Sequence, residues 1–378
     1  MLAIQKAPIL IRGTGLLGAS IGLGMSAAGH KVWLSDPSPS AQRIAEDIGA
    51  GEIWRQPGDQ DGLIVVVASP PEVTAGEVAE ALLTHQGLVL DIASVKAEIV
   101  SQLLQRADDA ADPLTREHLS RYVGTHPMAG REQSGPVAAR GELFTSMPWV
   151  ICPVVDPATG QQLSDPGLVE LATGLARTLG ASVHRMDAAK HDASVALTSH
   201  LPQIAASLVA SRLQDAPGNA LALIGNGLRD VTRIAASDPS LWVQILSANA
   251  SRVVEILYGV REDVERLIGT LEDPAAHGGQ ADIAQLIAEG NAGVARIPGK
   301  HGAPPQSFAP LTVIVDDRPG QIAAVLNDVA EVGVNVEDLR MEHSAGHQVG
   351  MVELSVLPGR RDELAEALTD MGWKVVLS

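Results

Sequence analysis

Cysteine is almost missing from this chain of 378 residues, with Cys152 standing alone. An intramolecular disulfide is therefore excluded, as is any metal site built from several thiolates, and a reducing, cytoplasmic setting is expected. Aromatic residues make up only 2% of the chain, so alanine, valine and leucine must build the cores. No apolar run reaches the length needed to cross a bilayer, and no membrane role is expected. The N-terminal residues lead straight into a fold motif, which speaks against a signal or transit peptide. No basic block offsets the formal net charge of −18, which argues against nucleic acid as a partner. An anionic substrate would instead need a few placed arginines. Among the eleven histidines no H-E-x-x-H or comparable spacing occurs, so no metal site is expected.

What remains is 46% hydrophobic and 19% charged, a globular composition on a chain long enough for two or three domains. Short apolar runs at 9–12, 31–35, 63–68, 88–92, 121–123, 149–154 and 182–186 read as strands. Helix-like stretches such as 17–28, 40–48 and 73–83 separate several of them, the pattern of a doubly wound parallel sheet of Rossmann type over residues 1–187. From 188 to 297 the strand signal gives way to helices at 193–213, 220–236, 241–257, 261–271 and 281–295. Their wide apolar faces need a cover, and a second copy of the chain is a plausible one, so a homodimer is expected. Residues 298–310 are rich in proline and glycine and read as a linker. Residues 311–378 follow a βαββαβ order, the ferredoxin-like split arrangement.

Gly13-Thr14-Gly15-Leu16-Leu17-Gly18 follows the first strand and opens a helix. The glycines suit a tight turn, backbone approach to a pyrophosphate and close helix–strand packing, while the helix N-terminus attracts phosphate. Asp36 ends the second strand about twenty residues on, as a ribose-binding acid would. With Pro37 and Ser38 next and no adjacent arginine, NAD is expected over NADP. Asp91-Ile92-Ala93-Ser94-Val95-Lys96 closes a strand at the edge where substrates bind, and Ser94 is placed as a helix N-cap. In Gly124-Thr125-His126-Pro127-Met128-Ala129-Gly130, the proline and glycines put His126 in a shaped loop. There its imidazole can take a proton near neutral pH. Arg229 and Arg233 share a helix face, inviting a carboxylate or an ion pair with Asp230, and Asp238-Pro239 reads as a helix start. His191 and His200 are nine residues apart on one helix, hence on opposite faces, with Pro202 a kink.

Together the glycine fingerprint, DIASVK, GTHPMAG, the HD…SHLP helix and RDVTRIAASDPSLW resemble the prephenate dehydrogenase (TyrA-type) family over residues 9 to about 295. The C-terminal unit, with DDRPG at 316–320 and GVNV at 333–336, resembles an ACT domain. The resemblance implies NAD-linked oxidative decarboxylation of prephenate to 4-hydroxyphenylpyruvate in tyrosine biosynthesis; the alternatives are an arogenate or dual-specificity cyclohexadienyl dehydrogenase and, in a different class, a non-catalytic amino-acid sensor. It implies that His126 is catalytic, that Ser94 orients the same hydroxyl, and that Arg233 anchors a substrate carboxylate. Glu132, Arg229, Asp230 and Trp242 fall where the family lines or closes the site. Gln203 stands near His200 where many members carry a second histidine, and Arg131 stands where relatives have a small hydroxyl residue. In the ACT-like unit, Asp317, Gly320 and Asn335 are the implied regulatory positions, for tyrosine or another amino acid.

Overall fold

The structure, a computed structural model, describes residues 7–55, 62–130, 133, 135–298, 307–343 and 349–377. The chain divides into two units, Met1–Glu262 and Asp263–Ser378. The first begins with β1 (Ile9–Arg12), α1 (Leu16–Ala27), β2 (Val32–Ser35), α2 (Pro39–Asp47) and β3 (Glu52–Ile53). It continues through β4 (Ile64–Val67), α3 (Pro71–Thr84), β5 (Val89–Asp91), α4 (Ala97–Asp108) and β6 (Tyr122–Pro127). β7 (Pro148–Pro153), α5 (Pro166–Thr178) and β8 (Ser182–Arg185) complete its sheet, whose order is β3-β2-β1-β4-β5-β6-β7-β8. The reversal of strand order between β1 and β4 makes the crevice where doubly wound sheets bind ligands.

Alternation along the strands feeds two apolar layers. Ile9, Ile11, Ile64 and Val66 face one with α1 and α5, while Leu10, Val65 and Val67 face the other with α3 and α4. All four residues of β4 are buried, as a strand covered on both faces requires. Each such side chain contributes roughly 1.5–3 kcal/mol by leaving water.

Two expectations need correction. β7 runs antiparallel to β6, and β8 follows β7, so the sheet is parallel only as far as β6. No crossover helix lies among the described residues between β6 and β7, and without one the chain can only turn back. Second, Gly124–Pro127 is strand rather than loop. Pro127 is tolerated because β5 ends opposite Gly124. Beyond that point β6 has only β7 beside it, and the missing N–H costs no ladder bond on the open side.

The helical part of this unit holds α6 (Ala188–Val195), a π turn over Ala196–His200, α7 (Leu201–Ser211), α8 (Gly218–Leu221) and α9 (Asn226–Thr232). α10 (Pro239–Ala248) and α11 (Ala250–Glu272) follow. The helix expected at 220–236 is broken before Gly225, and those expected at 241–257 and 261–271 are divided at Asn249 instead. Residues 188–211 form one continuous helix of 24 residues, long and apolar enough to cross a membrane by length and composition. That differs from the expectation of no such run, although the same helix carries Lys190, His191, Asp192 and His200. Asp238 starts α10 as read, accepting from the Ser240 amide at 2.8 Å.

In the second unit Arg266 joins the end of α11 to Glu289 of α12 (Gly279–Val294) at 2.8 Å. Most of the expected linker, 299–306, lies outside the described residues. β9 (Ala309–Asp316), α13 (Gln321–Val332), β10 (Asp338–His343), β11 (Val349–Val356), α14 (Arg361–Asp370) and β12 (Lys374–Leu377) then form an antiparallel sheet of order β10-β11-β9-β12. Leu311, Val313, Val352 and Leu354 pack with Val325 and Val329 of α13 and Leu364 and Leu368 of α14. This is the split βαββαβ arrangement.

Candidate active site

At the carboxyl end of β1 the glycine loop is shaped by contact as well as by dihedral angle. Gly13 has φ +99°, and a Cβ there would stand 2.4 Å from the Ala68 carbonyl oxygen. A Cβ at Gly18 would lie 2.0 Å from the Gly13 oxygen, which forces α1 tight against β1. Above Gly15 nothing lies within 4 Å, and α1 has no side-chain cap. Open space before uncapped helix amides is what a dinucleotide pyrophosphate needs, so the residues present fit such a group. Thr14 is buried and Leu16 and Leu17 open α1. Asp36 accepts from the Thr14 amide at 2.6 Å, from the Thr14 hydroxyl at 2.9 Å and from the Ser38 amide at 2.8 Å. Three of a carboxylate's roughly four acceptor positions are thus used to hold the loop, and about one remains for a ribose hydroxyl.

His126, next to last in β6, is half-buried. Its Nδ1 lies 2.9 Å from His191 Nε2, and the rings meet edge to face at 5.1 Å. Among the described residues its Nε2 has no protein partner. His191 Nδ1 in turn lies 2.7 Å from Asp192 Oδ1. Asp192 accepts from the Lys96 amide at 2.9 Å and from the Ala97 amide at 2.8 Å. Asn249 donates to the Asp192 carbonyl at 2.8 Å and to His200 Nδ1 at 3.3 Å. Burial, more than any neighbour, holds the His126 imidazole well below the usual histidine range, with His191, Lys96 and His200 adding to the effect. Burial also lowers His200. His126 is therefore neutral at physiological pH, which leaves one ring nitrogen able to accept a proton.

Under this cluster lies a buried ion pair. Lys96 Nζ and Asp91 are both fully buried and bonded to each other, and the Tyr122 hydroxyl donates to Asp91 at 2.7 Å. Gly124 lets this happen, since a Cβ there would meet the Lys96 side chain at 3.2 Å and the Tyr122 hydroxyl at 3.3 Å. Burial and the adjacent Asp91 raise the Tyr122 phenol, so it remains a donor. Burial pushes the Cys152 thiol, across from Gly124, up to about 12, which keeps it unreactive.

Several expected residues stand elsewhere than sequence suggested. Ser94 is not the cap of α4. Lys96 occupies that position without a side-chain cap bond, and the first amides of α4 are satisfied by Asp192, brought from 96 residues away. Ser94 lies two residues earlier, half-buried, with no hydrogen bond among the described residues. His191 and His200 do not serve opposite faces of one ideal helix. The π turn ending at His200 unwinds the helix between them, and proline at the start of α7 favours such a break. Both rings are buried and belong to one hydrogen-bonded cluster. Trp242 meets His200 edge to face at 6.1 Å. Gln203 is buried and holds the Ser237 hydroxyl at 3.4 Å, beside the turn that carries Arg233. Arg229, Asp230 and Arg233 are exposed, and the Arg229–Asp230 pair does not form. Arg131 and Glu132 lie outside the described residues.

Asp317 and Gly320 sit after the carboxyl end of β9, whereas Asn335 precedes β10. β10 starts level with Pro310, at the other end of β9. At about 3.4 Å per residue that is roughly 20 Å away, so within one chain these three do not form one site. Sequence reasoning singled out His191, Asp192 and Lys96 within motifs but gave them no role, and it missed Asn249. The available signal was polar residues set into otherwise apolar helices and strand ends.

Comparison with known proteins identifies the family. Residues 21–166 match the family model "prephenate dehydrogenase, nucleotide-binding domain", and 187–285 match "prephenate dehydrogenase, dimerization domain". The probable prephenate dehydrogenase NovF of Streptomyces niveus is 34% identical over 376 residues, covering 96% of this chain and 98% of its own. The chain belongs to the prephenate dehydrogenase family. The prephenate dehydrogenase of Bacillus subtilis is 25% identical, with 93% of this chain and 92% of its own covered. The Aquifex aeolicus prephenate dehydrogenase, solved with hydroxyphenyl propionate and NAD+, shares the fold at a TM-score of 0.61 and 22% identity. That alignment spans 76% of this chain and 98% of the Aquifex chain.

Proposed function

We propose that this chain catalyses the oxidative decarboxylation of prephenate to 4-hydroxyphenylpyruvate in the cytoplasm. The observation that carries this reading is His126: a neutral imidazole with Nδ1 engaged and Nε2 free, on the strand next to the one that leads to Ser94. NAD, when bound on the glycine loop, supplies the hydride acceptor. Gly13–Gly18 and Asp36 would hold it, with Asp36 disfavouring a 2′-phosphate. His126 takes the proton from the substrate hydroxyl at Nε2, while the ring carboxylate leaves as carbon dioxide and the ring becomes aromatic. Ser94 orients that hydroxyl, and Arg233 pairs with a substrate carboxylate. Arg229, Trp242, Gln203 and His200 line or close the site, and Arg131 and Glu132 are further candidates by the family resemblance. The domains are taken as 1–187 for the nucleotide, 188–297 for substrate and dimerisation, a linker at 298–310, and 311–378.

The exposed Leu197, Leu208, Val243 and Val254 of the helical region support assembly as a homodimer, because a second copy would remove them from water. The 311–378 unit is proposed to be an ACT-like regulatory module that senses tyrosine or another amino acid, with Asp317 and Gly320 at one end of its sheet. The test is NADH formation with purified chain and either prephenate or arogenate, with and without tyrosine. Turnover of prephenate with a high kcat/KM is expected; a large preference for arogenate would replace prephenate as the substrate. Inhibition by tyrosine that survives deletion of residues 300–378 would remove the regulatory role from the C-terminal unit.

A further inference from the structure

The reaction needs a bare nitrogen on His126 facing the substrate, and a neutral imidazole has one bare nitrogen and one N–H. Which nitrogen is bare depends on what the other one meets. Here the answer can be followed residue by residue to a fixed end. Both oxygens of Asp192 accept backbone amides at the start of α4, Lys96 N on one and Ala97 N on the other. A carboxylate held this way can only accept from His191 Nδ1 at 2.7 Å. With one hydrogen, committed to Asp192 through Nδ1, the fully buried His191 ring presents Nε2 as an acceptor. His126 Nδ1, 2.9 Å away, must therefore be the donor.

We propose that His191 and Asp192 are positioning residues that hold His126 in the Nδ1–H tautomer, leaving Nε2 as the base for the substrate hydroxyl. This rests on the assignment of His126 as the proton acceptor. The chain of donors ends on a helix N-terminus, whose amides and dipole stabilise the carboxylate. It also links two elements that the reaction must keep in register, since Asp192 caps the helix that follows the Ser94 loop. When His126 gains a proton at Nε2, its Nδ1–H still donates to His191, and the new positive charge is met through His191 by the Asp192 carboxylate. No proton need travel the whole chain; the pair orients and stabilises. Asn249, which donates to the Asp192 backbone carbonyl, steadies the same turn of α6.

The test uses the full-length chain and two variants. In the Asp192→Asn variant the new amide nitrogen can donate to His191 Nδ1, which reverses each donor in turn and moves the His126 hydrogen to Nε2. The loss in kcat should be on the order of 10⁴-fold, the scale of a base held in the wrong tautomer, with NAD affinity changed little. Nitrogen NMR of isotope-labelled histidine should show His126 as Nδ1–H in the wild type and as Nε2–H in the variant, a shift that loss of a helix cap alone would not cause. His191→Phe leaves the α4 cap in place and covers the case in which Asp192→Asn fails to fold. It should give a mixture of His126 tautomers and at least a tenfold loss in kcat. An Nε2–H tautomer of His126 in the wild type, or wild-type kcat in His191→Phe, overturns the proposal. The tautomer is read without substrate, so a chain inactive on prephenate would overturn the proposed reaction while leaving this assignment standing.

Discussion

The two ends of the proposed substrate site are built in opposite ways. Around His126 the polar side chains that settle its geometry, His191, Asp192, Asn249, Lys96 and Asp91, are buried and bonded to one another. Around Arg233 the chain offers exposed arginines with no partner among the described residues, on a short helix that runs into a single tight turn. The His126 end is set by folding. The arginine end keeps its charges exposed, open to a ligand or a second copy. This division is physically reasonable, because a base must be desolvated and held in one tautomer before substrate arrives. A carboxylate anchor gains from staying hydrated until it is used.

The comparison can be broken in order of expected effect. His126→Asn removes the proton acceptor and should cut kcat by about 10²–10⁴-fold, with NAD affinity nearly unchanged by isothermal titration. Wild-type turnover would end its role as base. Lys96→Met leaves Asp91 as a buried, unpaired charge and should cost about 3–5 kcal/mol in chemical denaturation. A cost below ~1 kcal/mol would mean that water reaches the pair. Arg233→Ala, by contrast, should leave Tm unchanged and raise the prephenate KM roughly 10–100-fold, the worth of one charge-assisted hydrogen bond. A fall in Tm would show that this end, too, is structural.

Smaller effects follow from pH. His126 is held below the histidine value of about 6.5 chiefly by burial, so its neutral form persists and the acid limb of kcat/KM should lie below that pH. The unfolded chain takes up this proton near pH ~6.5 while the folded chain does not. The stabilisation is therefore complete above that pH and is lost as pH falls. Denaturation midpoints at pH ~7 and pH ~5 should show the loss, and His126→Asn should reduce it. Smallest of all, Asp238→Ala removes the cap of α10, the helix carrying Trp242. It should cost about 1 kcal/mol, readable by thermal denaturation.

Much of the nucleotide-binding half was legible in sequence. The glycine fingerprint, the fully apolar run of β4 and the acid ending β2 are local signals, since turn chemistry and burial on two faces depend on near neighbours. The succession of elements in residues 311–378 was legible for the same reason. The helical region was less so. Its alanine-rich helices carry little periodic contrast, and the breaks before Gly225, at Asn249 and in the π turn depend on packing and on where backbone groups find partners. The position of His126 in a strand was also hidden. Proline and glycine argue against a central strand, and only the early end of β5 makes room for them.

By itself, then, the sequence determined the family, and it marked the glycine loop, His126, Ser94 and Arg233 as candidates, because these are carried by short motifs with their own chemistry. Tertiary structure alone decided how the histidine is set. His191 reaches β6 from 65 residues away, and Asp192 caps α4 from 96 residues away. Hydrogen bonds across such separations follow from the packing of helix on sheet, where burial leaves each polar group no partner but the one brought to it.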